Sequence, residues 1–516
     1  MAVTSRVFSG STIRFARTIL LLWLTGLLMS GNALAAPSAV TPSGTFSGVE
    51  EGGVLVFKGI RYAEAPTGSR RWQAPMPAGV ARKALEAKTF GPACLQPKSD
   101  QLPDATTSED CLFLNVWTLD LDRTKLRPVM VWIHGGGFRT GSGAIPGEVF
   151  ASQDVVVVSL NYRLGPLGFM AHKSLRNKVA NVALLDMVAA LDWVKNNIQA
   201  FGGSPHNVTL FGVSAGGQAV NLLMVSPLAA RRFHRAIAQS GYAAWALPRS
   251  AGAPAPAPKG ADLGPAQSAE AIAESLIAGL DGGEQSARLL RRLDGQALVE
   301  GVQGFQMPIV DGTSLPEEPG ALFRQGRQAP VPYMTGGNSF EGSVMPGSGI
   351  SAPDFERMLG ADLPALKQAW ADDFAISQER GLTRIFGDNR YLLSARLLAT
   401  AMAGVKKESW LYYVALSPTQ RPTEWPGTPH GYDYALLFGT DKNTNTSVHN
   451  LGIRMQQYWL AFARRGRPDV PGLAAWPAYI AETDRWMVFS DRDGEQAGVL
   501  REKLDLLTNR YEQRFR

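Results

Sequence analysis

Cysteine and histidine are scarce in this chain, two and six respectively among 516 residues. None of them falls at zinc-ligand spacing, so the sequence gives no metal site, and the chemistry read below needs neither a metal nor an organic cofactor. Beyond the N-terminus there is no apolar run long enough to cross a bilayer, and there is no internal repeat. A basic stripe is also missing, although the formal net charge is +6. Three of the cationic residues (Arg6, Arg14 and Arg17) stand in the acid-free first 36 positions. The remaining Lys and Arg are scattered among acids, apart from short clusters such as Arg231–Arg232 and Arg464–Arg465. A nucleic-acid partner is therefore not expected. At 45% hydrophobic and 19% charged, the chain is neither disordered nor fibrous in composition.

The N-terminus has the pattern of an export signal. Arg14 and Arg17 precede the apolar run from Ile19 to Met29, and Ala33-Leu34-Ala35 supplies a small-x-small cleavage motif before Ala36-Pro37. Residues 1–36 are read as a signal peptide, and 37–516 as one exported domain, periplasmic or secreted, with no stable membrane anchor. In an oxidising compartment Cys94 and Cys111, 17 positions apart, would be able to join. The bridge would add about 3 kcal/mol of stability in the chain-entropy view. Two buried free thiols are the alternative.

Short, nearly continuous apolar runs at Val129–Ile133, Val155–Leu160, Val208–Phe211, Val331–Thr335 and Trp410–Val414 suit strands buried on both faces, as in a mostly parallel sheet covered by helices. Between the second and third, Leu184, Met187, Val188, Leu191, Val194 and Ile198 recur at helical spacing. That order predicts a β-α-β crossover. Ser250 to Gly264, rich in Ala and Pro, reads as a loop. Strands spread along the whole length, which favours one large catalytic domain with helical insertions after about residue 245.

The chemistry centres on Gly212-Val213-Ser214-Ala215-Gly216, placed between the strand Val208–Phe211 and the helix-compatible Gln218–Met224. G-x-S-x-G at a strand-to-helix turn is a nucleophile elbow. Upstream, Val129–Ile133 runs into His134-Gly135-Gly136-Gly137-Phe138. Three consecutive glycines are costly unless main-chain N–H groups must approach a ligand closely. The segment reads as the oxyanion loop of an α/β-hydrolase, with the amides of Gly136, Gly137 and Ala215 as donors.

Among the histidines, His134, His172 and His206 precede the serine, against the order Ser, acid, His of this fold. His234 follows it too closely to leave room for an acid, and His449 opens a polar helix. His430 remains, in the Gly/Pro-rich loop Gly427 to Asp433. Glu341, after the strand Val331–Thr335 and the turn Gly336-Gly337-Asn338-Ser339, stands where a sheet-edge loop would present the acid; a solvated surface glutamate is the other reading.

Together the segments resemble the type-B carboxylesterase and cholinesterase family over nearly the whole mature chain. The marks are Gly59-Ile60-Arg61-Tyr62-Ala63, Glu109 to Val116, Ile133 to Phe138, Asn161-Tyr162-Arg163, Phe201-Gly202-Gly203, Val213 to Gly217, Gln239-Ser240-Gly241 and Val310-Asp311-Gly312. The resemblance implies an α/β-hydrolase fold with helical insertions over an active-site gorge. It also implies a triad of Ser214, Glu341 and His430, an oxyanion hole at Gly136, Gly137 and Ala215, a Cys94–Cys111 disulfide and an Arg71–Glu109 ion pair. Phe138, Trp245, Val344 and Met345 are assigned to the substrate pocket, Trp245 by its match to an acyl-pocket tryptophan.

Departures from the family narrow the substrate. Val213 stands where Glu is common, Val344 and Met345 replace aromatics of cholinesterases, and the loop between the two cysteines contains no Phe, Trp or Tyr. Cation–π recognition of choline therefore has few candidates at the expected places. The expected activity is serine-dependent hydrolysis of small neutral carboxylic esters. Amidase, thioesterase or lactonase activity on the same triad is the alternative, and a non-catalytic recognition protein on this scaffold fits less well.

Overall fold

The computed structural model describes residues 36–98, 106–175, 179–251, 253, 268–280, 286–420, 425–441 and 445–515. The export-signal segment lies outside these, as does most of the Ser250-to-Gly264 stretch.

Eleven strands of the described chain form one sheet: β1 (Val49–Glu51), β2 (Val54–Arg61), β3 (Phe113–Thr118), β4 (Arg127–Ile133), β5 (Val156–Leu160), β6 (Gly203–Val213), β7 (Arg235–Gln239), β8 (Tyr333–Asn338), β9 (Ser409–Val414), β10 (Arg485–Phe489) and β11 (Gly494–Ala497). Their spatial order is 11-10-9-8-7-6-4-5-3-2-1. From β5 to β10 every neighbouring pair is parallel, and the outer pairs are antiparallel. Strand β4 shows why the apolar runs are continuous: Val129, Val131 and Ile133 pack into one hydrophobic layer, Met130 and Trp132 into the other. A strand covered on both faces has no solvent side to make polar.

The chain leaves β5, passes through helix α1 (Val182–Asn197), and returns as β6 on the far side of β4. Strand order reverses there, and in open α/β sheets a reversal opens a crevice at the strands' carboxyl ends. The loop after β4 and the turn after β6 both open at this point.

Boundaries differ from expectation where pairing overrides local preference. Gly336, Gly337 and Asn338, predicted as a turn, continue β8, because β7 pairs with Gly336 on one side and β9 with all three on the other. α1 is buried around most of its circumference, not along one stripe. Its outer side is covered by the N-terminal strand Gly44–Ser47, whose Phe46 ring meets Trp193 edge-on at 6.4 Å. Ile198 falls in the following 3₁₀ turn. The helical additions after residue 245 lie mainly between β7 and β8, and between β8 and β9.

The Cys94–Cys111 disulfide is present, with the Cα atoms 4.8 Å apart. Arg71 makes a bidentate pair with Glu109, Nε donating at 2.8 Å, and a third bond to the Leu293 carbonyl at 2.7 Å. Both features fit the implications of the sequence resemblance. No helix of the described residues is long and apolar enough to cross a membrane.

Candidate active site

Ser214 stands between β6 and helix α2 (Ala215–Val225) with φ 58° and ψ −121°. This strained conformation is held from both sides. The Ser214 amide donates to the Gln239 carbonyl at 2.8 Å, and its own carbonyl accepts from Gln218 N at 2.8 Å. The tight turn requires the flanking glycine, since a Cβ on Gly216 would lie 2.0 Å from the Ile133 carbonyl oxygen. Strain retained at one residue by such over-determination is a mark of functional turns.

The glycine loop after β4 packs against this elbow. A Cβ on Gly135 would lie 3.3 Å from that of Ser214. Gly136 and Gly137 have φ of +97° and +63°, a region open to glycine at little cost. Among the described residues their amides donate to no loop or turn carbonyl. Ala215, first residue of α2, has no helical carbonyl behind it to accept its N–H. His134 is buried, stacked on Tyr162 at 4.3 Å, and its Nδ1 lies 2.9 Å from the Gly135 carbonyl. Burial pushes its pKa down to about 4, so the ring is neutral at neutral pH and braces the loop.

Glu341 follows β8 and is fully buried. Its Oε1 accepts from Asn338 N at 2.5 Å, Asn338 Nδ2 at 3.2 Å and Ser240 Oγ at 2.7 Å. Its Oε2 bonds His430 Nδ1. The loops bearing these two residues are fastened together: Phe340 N donates to the Thr428 carbonyl, and His430 N donates to Ser343 Oγ, each at 2.8 Å. His430 Nε2 is buried and makes no hydrogen bond within the protein. A carboxylate on Nδ1 fixes the ring so that Nε2 is the free nitrogen.

A further carboxyl group, Asp433, lies behind this pair. It accepts from Tyr412 Oη at 2.6 Å, Gln239 Nε2 at 3.1 Å and Asn338 Nδ2 at 3.2 Å. Burial raises its pKa. Gln239 thus takes the Ser214 amide on its carbonyl and bonds the His430 loop through its side chain, coupling the elbow to the histidine.

The four residues assigned to the pocket are dispersed. Phe138 is fully buried, edge-on to Phe169 at 5.0 Å. Met345 is buried in the same apolar cluster, Val344 is half-buried, and Trp245 packs between Phe355 and Phe386. The cavity of about 890 Å³ that Phe169, Met170, Ile272, Phe305, Met307 and Ile309 help to form is lined by none of the four, nor by Ser214 or His430. Residues that the sequence reading missed surround the site: Ser240, Asn338 and Asp433 behind Glu341, and Phe305, which lies against Gly137. Ser240 had a usable signal in the Gln239-Ser240-Gly241 block. Phe305 had none, because its place depends on a distant insertion folding back. Among the described residues no group of His, Cys, Asp or Glu could hold a metal ion.

A mostly parallel sheet with a strained serine elbow at its strand-order reversal, a glycine loop beside it and a carboxylate-bound histidine defines an α/β-hydrolase. Comparison with known proteins narrows the class. The model of the carboxylesterase family matches residues 35–506. The chain is 32% identical over 501 residues to a fumonisin B1 esterase of Sphingopyxis macrogoltabida, covering 89% of this chain and 87% of that one. It is 33% identical over 483 residues to a para-nitrobenzyl esterase of Bacillus subtilis, covering 87% and 94%. A solved PNB esterase structure superposes with a TM-score of 0.76 at 30% identity, covering 92% of this chain and all of that one. The chain belongs to the carboxylesterase family, and its reaction is the hydrolysis of carboxylic esters.

Proposed function

We propose that Ser214, His430 and Glu341 carry out this hydrolysis as a triad, with the amides of Gly136, Gly137 and Ala215 receiving the oxyanion. His430 Nε2 takes the proton of Ser214 as Oγ attacks the ester carbonyl. The resulting alkoxide is held by the three amides. The alcohol then leaves with the proton from His430, and an acyl group remains on Ser214. Water, deprotonated by the same nitrogen, releases the acid. Glu341 holds the ring in one tautomer and offsets the imidazolium charge. The observation that carries the reading is the bond from His430 Nδ1 to a Glu341 that is itself held by three donors, which leaves the unpartnered Nε2 for the serine.

The substrates we propose are esters without a cationic group, preferred over choline esters. We also propose that residues 37–516 act as one exported catalytic unit, periplasmic or secreted. The Ala33-Leu34-Ala35 motif supports this, and so does the disulfide, a bond that persists in oxidising compartments. The test is covalent: an organophosphate should label Ser214 and no other serine, and Ser214→Ala should lose about four or more orders of magnitude in kcat while melting as the parent does. Labelling at a different serine overturns the assignment.

A further inference from the structure

Arg390 is a buried cation for which the fold supplies no counter-charge. It is 1% exposed and sits in the one-turn π-helical segment Asp388–Leu392, a kind of insertion frequent at functional sites. No carboxylate forms an ion pair with it among the described residues, Nε has no hydrogen-bond partner, and one terminal nitrogen reaches only the Met307 sulfur at 3.9 Å. Ring faces surround it instead: Tyr242 at 4.0 Å, Trp245 at 4.6 Å and Phe305 at 5.5 Å, with Phe386 and Tyr391 each at 5.9 Å. Rings offset part of the desolvation of a guanidinium, but they do not accept its directed N–H groups as a carboxylate would.

The neighbouring polar atoms share this condition. The hydroxyls of Tyr242 and Tyr391 are buried and meet no partner in good hydrogen-bond geometry; Arg390 acts on both through its charge and a loose side-chain contact. In a native fold buried donors are nearly always satisfied, so several unsatisfied ones together mark a place for an acceptor. Arg390 lies between the two halves of the active site. Phe305, in contact with it, also abuts Gly137, and Gln306 N donates to the Gly137 carbonyl at 2.9 Å. Tyr391 packs on the His430 ring at 4.5 Å. Phe305 and Met307 both line the cavity of about 890 Å³.

We propose that Arg390, with the hydroxyls of Tyr242 and Tyr391, forms an anion subsite that binds a carboxylate carried by the ester substrate, so that the enzyme takes half-esters of dicarboxylic acids or esters of hydroxy acids. A planar guanidinium matches a carboxylate with paired N–H bonds, and two phenolic donors complete the set. The inference rests on the triad reading. The two fail differently: a wrong triad shows in serine labelling, a wrong subsite only in the selectivity for charge.

The test compares two matched ester pairs on the mature protein. On the acid side they are mono-4-nitrophenyl glutarate and 4-nitrophenyl 5-methylhexanoate; on the alcohol side, 4-acetoxybutanoate and 4-methylpentyl acetate. In each pair a carboxylate replaces an isopropyl group of the same shape. For one pair or the other, Arg390→Met should lower kcat/KM of the anionic ester at least about tenfold more than that of its neutral partner, the effect of a lost charge-assisted bond. Arg390→Lys should recover part of the difference, and the pair that responds tells which side carries the anion. Equal losses within both pairs would mean a structural role and overturn the proposal. If Arg390→Met does not fold, the parent protein decides: glutarate should inhibit neutral-ester hydrolysis competitively where 1,5-pentanediol does not, and equal inhibition by both, or by neither, overturns it.

Discussion

Ser240, at the end of β7, donates its hydroxyl to Glu341 Oε1 at 2.7 Å from one strand to the loop beyond the next. Glu341 is buried, so the donors it accepts from fix where its oxygens point. Ser240→Ala would leave Asn338 as the only donor residue on that oxygen. We expect kcat to fall about tenfold with KM little changed, since one hydrogen bond to a carboxylate contributes about 1.5–3 kcal/mol and the loss acts through His430. Steady-state kinetics on a neutral aryl ester checks this. An unchanged kcat would mean Asn338 alone suffices to hold the acid.

The disulfide should be measurable as stability. Cys94 and Cys111 close a loop of 17 positions, and the double variant to serine should lose about 3 kcal/mol in urea unfolding. The unreduced protein should show no alkylatable thiol by intact mass. Two alkylated cysteines would contradict the bridge.

His134 gives the pH dependence a sign. Burial lowers its folded pKa to about 4 from an ordinary 6.5, so as pH falls the unfolded chain is protonated first. The stability this contributes is complete above pH 6.5 and is lost as pH falls through 4, up to about 3 kcal/mol. The urea midpoint should therefore drop between pH 7 and 4.5, and His134→Asn should flatten that slope. Equal slopes in parent and variant would show that other groups set it.

Much of the sheet and all three proposed triad positions could be read from the sequence. Strands buried on both faces leave continuous apolar runs, and the serine elbow and the glycine loop after β4 are local patterns whose glycines have a steric cause. The shell around them is a different matter. Asn338 reads as part of a turn because Gly336 and Gly337 precede it, and only its pairing with Val414 of β9 makes it extended. Arg390 looks like any surface arginine in Asp388-Asn389-Arg390-Tyr391. Its burial follows from Tyr242, Trp245 and Phe305 converging from the separate connection between β7 and β8, which no local pattern encodes. Phe138 and Met345, assigned to the substrate pocket from the resemblance, are both buried among apolar side chains.

The same convergence bears on selectivity for charge. Choline recognition needs ring faces free to meet a quaternary ammonium, each worth about 0.5–2 kcal/mol. Val344 is half-buried and Met345 is buried, and neither supplies a ring. The faces that gather around Arg390, those of Tyr242, Trp245 and Phe305, already hold its guanidinium. A cationic substrate would lose those contacts and would also meet a like charge. The ratio of kcat/KM for butyrylcholine to that for 3,3-dimethylbutyl butyrate, the same shape without the charge, should therefore lie below one. In Arg390→Met the like charge is gone and ring faces are freed, so the ratio should rise. A ratio well above one in the parent protein would place a cation site elsewhere in the gorge and refute this account of selectivity, while leaving the triad reading intact.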